Sequence, residues 1–337
     1  MSAPKKAGRQ SVVFKNPPRL VSVATVAGPM EGDGPLGNNF DLVLGDTLAG
    51  CSTWEQAECK MLTAAVNLCL EKAGLHADNV DMLISGDLLN QIISANYAAR
   101  QTGIPFLGLY GACSTMCEGM LIAATILDGG FADYVVVATS SHHNTAERQY
   151  RYPTEFGNQR PPTSQWTVTG AAAVLLTSQQ ASGPAVTCAT VGKVVDMGVR
   201  DPNDMGSAMA PAAADTIYQH LVDTGRTPSD FDAILTGDLG RIGKALTLEL
   251  LSRSGLNVEG VLEDCGLLIY SPSRDVHAGG SGCACSGLVF CASVFPKLGS
   301  GSLGKVLLVA TGALHSPLSV QQGETIPAIA HAVCVEG

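Results

Sequence analysis

Residues 110–143 read YGACSTMCEGMLIAATILDGGFADYVVVATSSHH, and the folding of this stretch decides the architecture of the chain. The apolar run that leads into it, Ile104 to Tyr110, predicts a buried strand; Gly111-Ala112 predicts a tight exit through Cys113 and Ser114 into a helical pattern. Gly129-Gly130 stops that helix, and Tyr134 to Ala138 is the next buried strand. Cys113 therefore falls at or near a helix N-terminus. Unpaired N–H groups and the positive end of the helix dipole collect there and bias a thiol towards thiolate, the nucleophilic form. Strand, cysteine, helix and strand in this order make a mount for a nucleophile, and the question is whether the chain supplies its partners.

The 337 residues suffice for two ordinary domains or one large α/β body. Hydrophobic residues make up 46% and charged ones 15%, a balance that predicts much buried surface, including an oligomer interface. No apolar run reaches the ~18 residues of a membrane span, and the amino end MSAPKKAGRQ has no apolar segment behind its basic residues. The expectation is a soluble, unexported, cytoplasmic chain. A net charge of −10 argues against nucleic acid as a partner, because phosphate binding calls for a basic face. The eleven cysteines are scattered through apolar segments with no paired CxxC sets, so they read as reduced structural thiols rather than a metal site.

Working outward, Leu20 to Ala27 is the first core strand, Trp54 to Gly74 a helix with a glycine stop, and VDMLISGDLLN a strand ending at Gly86-Asp87. Thr167 to Thr177 adds a last strand to this half after a long loop. The second half repeats the first. DMLISGDL matches DAILTGDL with Gly237 standing 151 residues after Gly86, whereas GACS matches CACS with Cys285 standing 172 after Cys113. The difference of 21 predicts an insertion in the second copy, around Arg241 to Gly260. Several elements aligned in one order mean a duplicated unit, and alternating strands and helices mean sheets covered by helices. The expected fold is α/β: a duplicated thiolase-like fold of two pseudo-symmetric halves, mixed sheets layered with helices as αβαβα. Residues 1–180 form the half carrying Cys113, and residues 181–337 the half carrying Cys285.

Seven segments in order carry a resemblance to a known family: Asp33 to Gly37, SGDLLNQ at Ser85 to Gln91, ANYAAR at Ala95 to Arg100, Tyr110 to Thr115, TAERQYRYPTEFG at Thr145 to Gly157, DMGSAMAPAAADTI at Asp204 to Ile217, and AGGSGCACS at Ala278 to Ser286. Through them nearly the whole chain resembles the stage V sporulation protein AD family of spore-forming Firmicutes, thiolase-fold relatives of the ketoacyl-ACP synthases. The resemblance implies binding of dipicolinic acid (pyridine-2,6-dicarboxylate), alone or as its calcium chelate, during uptake into the developing spore. It implies no cofactor beyond that calcium, and a place in the cytoplasm or at the forespore or spore inner membrane, beside membrane proteins of the dipicolinate channel.

The residues themselves speak against condensing chemistry. Ketosynthases and thiolases pair their cysteine with imidazole or amide groups from the second half, which stabilise an oxyanion. By pseudo-symmetry those partners should follow the strand Ala233 to Thr236 and sit near Cys285, where the chain has Gly237-Asp238-Leu239 and Gly282-Cys283-Ala284-Cys285. A carboxylate repels the developing negative oxygen. Non-catalytic binding is therefore the expectation; the alternative is an acyltransferase or ketoacyl synthase-like enzyme with Cys113 as nucleophile.

The candidate ligand-binding residues are Cys113, Asp87, His143, Arg148, Arg151, Asp238 and Cys285. Cys113 is either nucleophile, pocket thiol or core residue, and Cys285, its pseudo-symmetric twin, either faces it or fills space beside Cys283. Asp87 and Asp238 end matching strands, where open α/β sheets place ligands; each either meets ligand or caps the next helix. His142 and His143 follow the central strand, and neighbours on an extended segment point opposite ways, so one faces the pocket and no metal site forms. Arg148 and Arg151, beside Glu147, Tyr150 and Tyr152, either hold a carboxylate ligand or pin a surface loop. In the first case Ala at either arginine costs ~1.5–3 kcal/mol. The strand Phe106 to Tyr110 is expected to pair with its copy across a C2 homodimer axis, with Asn96 and Arg100 nearby.

Overall fold

Two twenty-residue helices show the repeat at the level of their caps. Helix α1 (Trp54–Ala73) starts where the Thr53 side chain accepts from the Gln56 N–H, and stops at Gly74 in the left-handed region, φ 67°. Its counterpart Met205–Thr224 starts on Asp204, which accepts from the Ser207 N–H, and stops at Gly225, also at φ 67°. A side-chain acceptor at one end and a residue free of Cβ strain at the other fix both lengths locally. This computed structural model describes residues 5–150 and 160–337.

The first half contributes five principal strands: β1 (Arg19–Ala27), β2 (Met82–Gly86), β3 (Phe106–Gly108), β4 (Tyr134–Ser141) and β5 (Gly170–Thr177). The second contributes β6 (Ala185–Thr190), β7 (Ala233–Thr236), β8 (Leu262–Asp264), β9 (Lys305–Ala313) and β10 (Ala328–Glu336). Their spatial orders are β3-β2-β4-β5-β1 and β8-β7-β9-β10-β6, the same in both halves, and the pair Arg19–Ala185 joins them edge to edge. In each half the two pairs made by β2 or β7 are parallel, and the remaining two are antiparallel. Identical order and direction are what a duplication requires.

The strands of the central pair are apolar on both faces because both faces are covered. Along β4, Val135 and Val137 enter the central core while Val136 and Ala138 enter an outer one packed by α1. Along β9, Val306, Leu308 and Ala310 enter the central core, and Leu307 and Val309 an outer one beneath the Met205 helix. Helices α2 (Ile93–Thr102) and α3 (Thr115–Asp128) follow β2 and the Cys113 turn, α4 (His143–Tyr150) follows β4, and the Met205 helix is α5; α6 (Gly240–Arg253) and α7 (Cys283–Val289) are the second-half counterparts of α2 and α3. The central layer is built from α3 and α7. They touch at Gly287, where a Cβ would meet Met116 at 2.7 Å and Ala172 at 2.8 Å.

Three expectations are corrected. The insertion lies elsewhere: β8 begins 156 residues after β3 (262 less 106) and Cys285 follows Cys113 by 172, so most of the extra chain falls between β8 and α7, not at Arg241 to Gly260. Of those positions, Arg241 to Arg253 belong to α6, which packs on α5 as α2 packs on α1. The strand Ile104 to Tyr110 shortens to an edge, β3, with Leu107 39% and Tyr110 56% exposed, because β2 pairs with it on one side and, among the described residues, nothing does on the other. The segment after β4 is not extended: His143 opens α4.

Candidate functional site

The parallel strands deliver their C-terminal ends to one place. Past β2 the chain supplies Leu88 and Asn90, past β9 it supplies Leu314 and His315, and between them stands the turn Gly111 to Ser114. Together with Ala146, Glu147 and Tyr150 of α4 and with Gln165, Thr167 and Ser281, they enclose a cavity of about 550 Å³. Among the described residues, none of those lining it is lysine or arginine.

Cys113 sits in a 3-10 turn, after Ala112 at φ 50° and before α3, and is 7% exposed. Its sulfur is 3.9 Å from Ser281 Oγ, which donates to Asp238 Oδ2 at 2.7 Å. The Gly282 N–H donates to the same oxygen at 3.0 Å. Burial, and after it the negative charge of Asp238, push the Cys113 thiol well above its ordinary value. This corrects the expectation of a thiolate. A helix terminus is worth ~0.3–1 kcal/mol, less than one pKa unit, whereas desolvation reaches several units. Asp238 is itself fully buried, and burial raises its carboxyl to about 6. Replacing it by Asn, Asp238→Asn, should lower the Cys113 pKa and speed iodoacetamide alkylation about tenfold at neutral pH. An unchanged rate would mean that burial alone holds the proton.

Asp87 and Asp238 match in sequence but not in what they do. Asp87 accepts from the Leu89 and Ala95 N–H groups, 2.8 Å each, and so caps the entry to α2. In the second half Asp264 accepts from the N–H groups of Leu239 at 2.8 Å and Gly240 at 3.0 Å. With the entry to α6 served from β8, the Asp238 carboxylate turns to the Cys113 side.

The other candidates divide. His143 stacks on Trp166, ring centres 3.7 Å apart, with Arg160 Nη2 at 3.1 Å from its Nε2; it is not part of the cavity wall. His142 Nε2 lies 2.8 Å from the Thr47 carbonyl. Arg148 pairs with Glu55 and lies over the Trp54 ring, off the cavity. Arg151 and Tyr152 lie outside the described residues. Cys285 is fully buried in the central core and does not reach the cavity. Cys283 is the cysteine beside Cys113: it clusters with Leu88, Cys113 and Ala146, and its thiol donates to the Ala112 carbonyl at 2.8 Å. All eleven cysteines are free thiols, so no bridge joins Cys113 to Cys285.

Sequence reasoning missed Gln165 and Ser281, and knew His315 only as the second-copy match of His143. Gln165 donates to the Asp238 carbonyl at 2.6 Å and the Gly280 carbonyl at 3.1 Å, tying the halves together under the cavity. His315 stacks on Tyr150 at 5.2 Å, and both rings line the wall. Ser281 links the thiol to the carboxylate. Only Ser281, inside AGGSGCACS, lay in a quoted motif with the second-half cysteines.

A family profile described as Stage V sporulation protein AD matches residues 8–336. The chain is 52% identical over 332 residues to Stage V sporulation protein AD of Bacillus subtilis (strain 168), covering 98% of each. Among solved structures it is similar to cerulenin-bound OleA of Xanthomonas campestris, TM-score 0.61 at 14% identity over 96% of this chain and 100% of that one. It is similar also to 3-oxoacyl-[acyl-carrier-protein] synthase III of Aquifex aeolicus VF5, TM-score 0.55 at 12% identity over 95% and 100%. At such identities these two establish the fold, which is thiolase-like, and nothing further.

Proposed function

The chain belongs to the stage V sporulation protein AD family, and on that premise we propose that it binds dipicolinic acid in the Cys113 cavity, without catalysing a reaction, during uptake into the developing spore. The observation that carries this reading is the Asp238 carboxylate beside a protonated Cys113. A condensing enzyme needs a nucleophilic sulfur and neutral donors for an oxyanion; here the neighbour is anionic and the sulfur keeps its proton. The calcium chelate is the better ligand. Bare dipicolinate carries two negative charges and would meet no lining lysine or arginine among the described residues; Glu147 on the wall is paired with Arg160 at 3.5 Å. Calcium cancels that charge and leaves coordination positions for oxygen donors such as Glu147. The flat ring suits Tyr110, Tyr150 and His315, all on the wall.

The test is calorimetry with dipicolinate in calcium, dipicolinate in chelator, and acyl-CoA. Tighter binding in calcium is expected, with Glu147→Gln weakening that arm about tenfold and Arg148→Ala behaving as wild type, since its guanidinium is engaged with Glu55. An acyl-enzyme at Cys113 would replace this reading with the acyltransferase one, and heat from neither form of dipicolinate would end it. From the family we infer contact with membrane proteins of the dipicolinate channel; no described helix is long and apolar enough to cross a membrane. A C2 homodimer through the open edge of β3 would cover Leu107 and Tyr97, now 39% and 44% exposed; analytical ultracentrifugation of Leu107→Lys should then give monomer.

A further inference from the structure

Far from the cavity, the second half buries a pair of thiols that ligand binding does not use. Cys188 on β6 and Cys334 on β10 are cross-strand partners in an antiparallel pair. That register sets α-carbons ~4.5–5.5 Å apart, inside the span a disulfide bridges. Both sulfurs point to one face, because the same Arg226 nitrogen lies 3.0 Å from Cys334 Sγ and 3.6 Å from Cys188 Sγ. His220 Nε2 is 4.0 Å from Cys188 Sγ, and its Nδ1 is 2.8 Å from Thr190 Oγ1. Arg226 also pairs with Glu336 at 2.9 Å, the two side chains 24% and 29% exposed. The two cysteines are buried, 1% and 0% exposed, directly beneath this partly exposed ion pair.

The electrostatics differ from those of other buried cysteines. Burial pushes the Cys69, Cys117 and Cys291 thiols up. Cys188 is instead held well below its ordinary value, first by the hydrogen bond from Cys334 and then by His220 and Arg226. Cys334, which keeps the shared proton, is driven up. A sulfur held beside a guanidinium and opposite a second cysteine that can resolve it is the arrangement of dithiol redox centres.

We propose that Cys188 and Cys334 are a hydroperoxide-sensitive dithiol that closes to a cystine joining β6 to β10. The Cys188 thiolate attacks one oxygen of hydrogen peroxide, the O–O bond breaks, and the leaving hydroxide takes a proton to become water. The Cys334 sulfur then attacks the Cys188 sulfenic acid, the S–O bond breaks, and the Cys334 proton leaves with that hydroxide as a second water. Two thiols lose two electrons and the peroxide gains them. The bond would staple the last strand to the first strand of its half, with the intervening chain closed as a loop.

The experiment treats the native full chain with hydrogen peroxide, blocks remaining thiols by alkylation in denaturant, and maps peptides without reduction. A peptide pair joined at 188 and 334, formed before any other cysteine is oxidised and released by dithiothreitol, is the expected result. In Cys334→Ser the Cys188 sulfenic acid should persist and be captured by dimedone, and Arg226→Gln should slow cystine formation severalfold. Recovery of Cys188 and Cys334 both alkylated, whether or not other cysteines have been oxidised, overturns the proposal. So does a different pairing, and the wild-type map decides even if a variant fails to fold.

Discussion

Glu58→Gln should become progressively more stable than the wild type as pH rises, gaining about 2 kcal/mol between pH ~6.5 and pH ~8.5. Glu58 is fully buried, accepts from Ser140 Oγ at 3.1 Å and Thr145 Oγ1 at 2.8 Å, and is pushed up to about 8, chiefly by burial and then by the charge of Asp87. The folded state therefore holds a proton that the unfolded chain releases near 4.5. Its contribution is complete below that value and is lost as pH climbs through 8, because the folded form binds the extra proton. Glutamine mimics the protonated acid and has nothing to lose. Glu31 acts in the same direction more weakly: burial raises it to about 7, with the Tyr270 hydroxyl donating to it. Comparing variant with wild type removes the background. His142 and His331 are shifted down by burial and Cys188 is held low, and these oppose the glutamates in the whole-protein profile but cancel in the difference. Thermal or urea unfolding at the two pH values measures it; a difference that does not move with pH sinks the assignment of a protonated Glu58.

Gly312→Val should cost about 2–3 kcal/mol of stability and abolish ligand binding. Gly312, next to last in β9, lies on the cavity wall, and any Cβ there would lie well inside contact distance of the Gly111 carbonyl oxygen, with Ser114 Oγ at 3.2 Å. The obstacle is backbone, so it cannot swing aside. Either β9 leaves its register with β10 or the turn that carries Cys113 is displaced, and both reshape the cavity. Gly299→Ala is the control: nothing lies within 4 Å of its Cβ, and it should be neutral or slightly stabilising. Urea unfolding with calorimetry reads both consequences, and a Gly312→Val protein with wild-type midpoint and affinity would show that the close approach carries no weight.

Residue patterns alone were enough to read the duplication, the chain order of strands and helices, and the mount of Cys113 at a helix start. These rest on signals within a few residues of each other: two-sided apolar runs such as Val135 to Ala138, and helices bounded by Thr53 and Gly74 or by Asp204 and Gly225. Local backbone preference and burial act on the same short segments, so they could be read without the fold. The site was decided by tertiary structure. The sequence match of Asp87 with Asp238 did not extend to their side chains, because β8 brings in Asp264 to take the capping role and frees Asp238 for Ser281, 43 residues away. The match of Cys113 with Cys285 did not extend to the cavity either, because one turn of α7 places Cys283 against Ala112, 171 residues distant, and sends Cys285 into the core. Arg148, near the cavity along the chain, pairs with Glu55 on a different element. A side chain's direction depends on which distant groups reach it, and contacts between segments tens to hundreds of residues apart leave no periodic trace in either one.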